Sequence, residues 1–103
     1  MSELSSLQVT DEQSAAVAKT PNRVALSDVE AKISNVEYIN PSTSPQLTIA
    51  VVKLNNGFVV LGESAPADPV NFNAELGQKF ALENATRKIW PLMGFALCEK
   101  LAA

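Results

Sequence analysis

The sequence predicts a single α+β domain, with a central antiparallel β-hairpin or small sheet packed by a long helix. Short N-terminal helices precede this unit and a C-terminal apolar helix follows it. Three observations predict the arrangement. Residues 47–54, LTIAVVKL, are rich in β-branched side chains, and FVVLGES at 58–64 returns after Asn55-Asn56-Gly57. Asn and Gly tolerate the positive φ that tight hairpin turns need. Residues 70–89 then repeat bulky apolar side chains at helical spacing.

The elements follow in order. Residues 1–22 read as a flexible arm and a short helix, with the single α+β domain at 23–103. Thr10 and Gln13 have capping-box spacing, and the alanines that follow favour a helix over 11–19 that ends before Pro21. It has little bulk to bury. Ser27 with Glu30 suggests a second cap, for a helix over 27–34. Val36-Glu37-Tyr38-Ile39 reads as a helix tail or an edge strand. The stretch NPSTSPQ at 40–46 is a loop.

In 47–54 both alternating sets are apolar, so both faces of that strand need covering. Gly62 suggests a bulge or a close approach of another backbone. Asp68 or Asn71 is positioned to cap the helix over 70–89. In that helix Phe72, Leu76 and Phe80 form a bulky row, and Gly77, Ala81 and Ala85 form a small one. The predicted core is Ile49, Val51, Val60, Phe72, Leu76, Phe80, Ala81, Ile89 and Trp90. Pro91 lacks an amide hydrogen, so the helix should kink or stop near Trp90. Residues 90–103 are apolar in nearly every helical direction, which points to a contact between subunits. Trp90, Met93, Phe95, Leu97 and Leu101 are its candidate residues.

Composition narrows the chemistry. The chain has 103 residues, 47% of them apolar, and a net charge of −3. That balance argues on electrostatic grounds against non-specific nucleic-acid binding. There is no histidine and only one cysteine, Cys98. Serine or cysteine catalysis through histidine is therefore excluded, as are a Cys/His zinc site and an internal disulfide. Cys98 lies in an apolar segment and reads as a small hydrophobe. No run is long enough for a membrane span. The expectation is a soluble, intracellular, non-enzymatic protein with no metal and no cofactor.

One set of short motifs is more specific. Asn56-Gly57-Phe58, Gly62-Glu63-Ser64-Ala65, Asp68-Pro69, Asn71-Phe72, Ala74-Glu75, Gly77, Glu83-Asn84-Ala85, Trp90-Pro91-Leu92 and Gly94 occur in this order. Together they resemble the signature of a small bacteriophage family named after gene product 49 of phage N4 and gene product 66 of phage Sf6. The likeness runs from Arg23 onward. The chain departs from that pattern at Pro66, where cysteine is common, and at Met93, where an acidic residue is. It also lacks the basic residues more frequent near Gln78 and Leu82.

The resemblance implies a phage accessory protein, expressed in the host bacterial cytoplasm. By analogy with phage sponge proteins, it suggests counter-defence: a homo-oligomer sequestering a nucleotide-derived immune signal of the cyclic ADP-ribose or cyclic oligonucleotide type. The alternative is a protein that binds and inhibits a host or defence protein. Arg23, Lys53, Lys79 and Arg87 are the candidate grips for phosphates, and Glu63, Ser64 and Asn71 the candidate polar contacts. Each has a plainer structural reading, such as Asn71 as a cap, Asn84 as a tie to backbone and Trp90 as a core anchor.

Overall fold

The structure is a computed structural model, and it describes residues 6–103. Helix α1 spans Ser6–Val17 and α2 spans Leu26–Lys32. Strands β1 (Ile33–Ile39), β2 (Thr48–Leu54) and β3 (Val59–Ser64) follow. A single 3-10 turn at Pro69–Asn71 leads into α3, Ala74–Ala102. The strands form one antiparallel sheet in the order β1-β2-β3. The α+β class is as the sequence predicts.

Helix α3 lies across one face of the sheet, and the chemistry of that contact is steric. Thr48, Ala50, Val52 and Leu54 of β2 point toward it and are buried, as is Val60 of β3. From α3 come Ala81, Ala85 and Ile89, each fully buried. A Cβ placed on Gly62 would lie 2.1 Å from the Ala81 carbonyl oxygen and 2.5 Å from the Ala85 nitrogen. Gly62 is therefore the close approach suggested by the sequence, and it sets how deep the helix sits.

Several expected core positions are corrected. Ile49 and Val51 occupy the other face of the sheet and are half-buried. Leu76 and Phe80 are 47% and 48% exposed, and Phe72 is half-buried. The helix docks through its small row because only small residues allow two backbones this close. The bulky row is turned aside by the same rotation. Val29 of α2 completes the core.

The helix boundaries also differ. Helix α1 already includes residues 6–10, which by sequence read as arm, because Leu7 is buried. Residues 1–5 of that arm lie outside the described residues. In α2 the cap is one of backbone and acid: Asp28 accepts the Ala25 N–H at 2.9 Å, and Asp11 of α1 accepts the Leu26 N–H at 3.1 Å. Ser27 and Glu30 do not form the expected box, since the N-cap falls two residues earlier, at Ala25. Helix α3 starts at Ala74, capped by Asn73, whose side-chain oxygen accepts the Leu76 N–H at 3.0 Å. It runs through Pro91 without stopping, so the long helix and the C-terminal apolar helix are one element. Proline costs one intrahelical bond there. Ile89 and Trp90, just before it, anchor the helix on the core.

Candidate functional site

The connector between β3 and α3 builds a groove. Asp68 accepts the Val70 N–H at 3.0 Å and so closes the 3-10 turn. That turn presents Asn71 and leads into Phe72, whose ring packs near Gly77. A Cβ on Gly77 would lie 2.7 Å from the Thr48 hydroxyl oxygen and 3.6 Å from the Phe72 ring. The groove has a volume of about 220 Å³ and is lined by Ser64, Pro66, Asn71, Phe72, Leu76 and Phe80, among others. Its walls are two aromatic rings and its rim carries a hydroxyl and amides. The Lys79 ammonium sits 6.0 Å from the centre of the Phe80 ring. Aromatic faces accept a flat ring by stacking, while amides and hydroxyls read polar edges.

Of the seven predicted ligand residues, the structure gathers Ser64 and Asn71 in this groove, and Lys79 adjoins it only through the Phe80 ring. It disperses the other four. Arg23 is committed to Asp11, as an ion pair and a bond to the Asp11 carbonyl oxygen at 3.1 Å. That pair fastens α1 to the segment before α2. Arg87 donates to the Ser6 hydroxyl. Lys53 points to the sheet face away from α3, by the alternation of β2. Glu63 shares that face and lies 3.8 Å from Lys88. Lys79 itself borders a separate groove with Glu30 and Glu83.

Sequence reasoning missed Phe72 and Phe80 as groove residues by assigning them to the core. The signal was present for Phe72, which belongs to a short motif, and neither ring is needed to bring the helix to the sheet.

A second, larger cleft of about 480 Å³ lies between the β2–β3 turn and the distal part of α3. Leu54, Phe58, Leu92, Met93 and Ala96 make it mainly apolar, with Lys32 and Asn55 at its edge. Asn55 fixes the turn there, donating its side-chain amide to the Ala31 carbonyl at 2.9 Å and its backbone N–H to Lys32 at 2.8 Å.

The residues read as an oligomer contact divide. Trp90 donates its indole N–H to the Val24 carbonyl at 2.8 Å and packs on the core, as does Met93. Phe95 and Leu101 are 68% and 55% exposed, and Leu97 is half-buried. Cys98 is exposed. Among the described residues no cluster of acidic or cysteine side chains could hold a metal ion. Among the described residues, no helix is long and apolar enough to cross a membrane.

Of the comparisons with known proteins, one finds a match. The model of the phage protein (N4 Gp49/phage Sf6 gene 66) family matches residues 24–101. No curated protein and no solved structure matches the chain.

Proposed function

Starting from the fact that this chain belongs to the phage protein family of N4 Gp49 and phage Sf6 gene 66, we propose that it is an accessory protein acting by stoichiometric binding. Its ligand, in this reading, is a nucleotide-derived immune signal of the cyclic ADP-ribose or cyclic oligonucleotide type. Sequestering that signal would blunt a host defence without any chemical step.

One observation carries the reading. Ser64, Asn71 and Phe72, all from the motifs quoted above, line a single groove with Phe80. A base would stack on the aromatic wall and bond its polar edge to Asn71 or Ser64. Lys79 would lie near an attached phosphate. The groove's 220 Å³ would take one ring system rather than a whole dinucleotide. Each chain would therefore hold one part of a larger ligand.

Calorimetric titration against cyclic dinucleotides, cyclic trinucleotides and cyclic ADP-ribose isomers tests this. The expected result is saturable heat with one member of the panel. The bound compound should return chemically unchanged after heat denaturation. Absence of heat with every member, on folded protein, would overturn the reading.

A second reading rests on a different observation. The cleft bordered by Phe58, Leu92, Met93 and Ala96 is apolar and open, as a groove for a partner's helix would be. There the protein would inhibit a host protein. Pull-down of one host protein, lost in a Leu92→Glu variant, would support it.

A further inference from the structure

The sheet has a face that α3 does not cover, and its residues form a regular pattern. Register places Asn35, Lys53 and Val59 side by side in one row across β1, β2 and β3. Glu37, Val51 and Leu61 make the next row, and Ile39, Ile49 and Glu63 the third. Five of these nine are aliphatic. Ile39, Val59 and Leu61 are 42%, 50% and 48% exposed. Such a face on a small domain calls for a partner.

We propose that the occupant is a second copy of this chain, packed face to face with its strands crossing near a right angle. The argument is self-complementarity. Consider a two-fold axis between the sheets, passing over Val51 at about 45° to the strands, close to the diagonal from Asn35 to Glu63. It exchanges Lys53 with Glu37, Leu61 with Ile49, and Val59 with Ile39. Strands lie about 4.8 Å apart and alternate residues about 6.8 Å apart, so each exchanged pair overlaps to within roughly 2–3 Å in projection. Apolar residues then meet apolar residues, with Val51 against its own copy at the centre. Lys53 meets the opposite charge twice. The two in-plane axes along or across the strands fail this test: one stacks Lys53 on Lys53, and the other puts Lys53 on Ile49 and Glu37 on Glu37. Orthogonal packing is an established arrangement of two sheets.

Two further observations fit. Lys53 and Glu37 are exposed and form no ion pair among the described residues. Glu63 would approach its own copy at one end of the axis, but it is the acid that has a cation beside it, Lys88 at 3.8 Å. The strand edge at β3 is a poorer route to assembly. There the outward Glu63 N–H is met by Asn84 at 3.1 Å and the Leu61 carbonyl by Lys88 at 2.8 Å. The nucleotide groove and the apolar cleft both involve α3, so this dimer would leave both open.

Sedimentation equilibrium over a dilution series tests the proposal, with circular dichroism to confirm folding. Nine side chains per copy is a small interface, so the dimer should dissociate on dilution. Lys53→Glu alone and Glu37→Lys alone should each weaken association at least about tenfold. The double variant K53E/E37K should restore it, because the swap preserves the pairing. Val51→Asp should give a folded monomer. A wild-type chain that stays monomeric at about 300 µM would overturn the proposal. So would a dimer indifferent to V51D, or charge reversals that the double variant does not rescue.

Discussion

The side-chain oxygen of Asn84 accepts the backbone N–H of Glu63 at 3.1 Å, tying the middle of α3 to the outer edge of β3. One turn later Lys88 donates to the Leu61 carbonyl at 2.8 Å. Two polar groups that an edge strand would leave open are thus met by one helix. Asn84→Ala removes the acceptor while keeping the helix. Stability should fall by about 1 kcal/mol, read as a lower urea midpoint with unchanged slope.

Gly62 and Gly94 should respond to alanine in opposite directions. At Gly62 the new methyl would collide with the α3 backbone, at 2.1 Å from the Ala81 oxygen. A backbone cannot yield as a side chain can, so Gly62→Ala should cost at least about 3 kcal/mol. At Gly94 an added Cβ meets nothing within 4 Å. Gly94→Ala should raise stability by about 0.5–1 kcal/mol, the helix-interior difference between the two residues. Thermal unfolding of the pair checks both signs.

These two glycines also show where the sequence was legible. The strand–turn–strand–helix order follows from β-branched runs, the Asn-Asn-Gly turn and helical spacing, and each of those is local. The rotation of α3 is not. Both faces of β2 are apolar, so alternation alone gives no phase, and Ile49 and Val51 read as well as Ala50 and Val52. What decides is bulk at contact: Gly62, Ala81 and Ala85 permit an approach that Leu76 and Phe80 would block. The groove was half legible for the same reason. Ser64 and Asn71 are legible from their place beside the connector, but Phe72 and Phe80 read as core in the absence of the helix phase. Arg23 and Arg87 read as candidate grips for phosphates because the sequence does not reveal their partners, Asp11 and Ser6, which lie 12 and 81 residues away.

Ile89 and Phe95 separate core from surface on one helix. Ile89 is fully buried, and Phe95 is 68% exposed. Ile89→Ala should cost about 3 kcal/mol through lost burial and a residual cavity. Phe95→Ser should stay within about 0.5 kcal/mol of the parent. Chemical denaturation distinguishes them. A drop in assembly state for Phe95→Ser, with stability unchanged, would report a contact between copies at the distal end of α3.

The groove can be tested without disturbing the fold, because its walls are exposed. Phe80 is 48% exposed, and among the described residues no hydrogen bond of the Asn71 side chain holds the chain together. The Asn71 N–H bond to the Asp68 carbonyl, at 3.0 Å, is made by backbone atoms and survives truncation. Phe80→Ala should therefore lower stability by no more than about 1 kcal/mol, since half of the ring already meets water. It should still remove a stacking surface, and so weaken a bound base by about 1–3 kcal/mol. Asn71→Ala should weaken the same ligand by about 1 kcal/mol or more through the lost polar contact. Lys53→Ala, on the far face of the sheet, should leave nucleotide affinity unchanged. Titration of these three variants with whichever cyclic nucleotide gives heat on the parent is the measurement. If Lys53→Ala abolished binding while Phe80→Ala did not, the ligand would sit on the uncovered sheet face and the groove would lose its assignment.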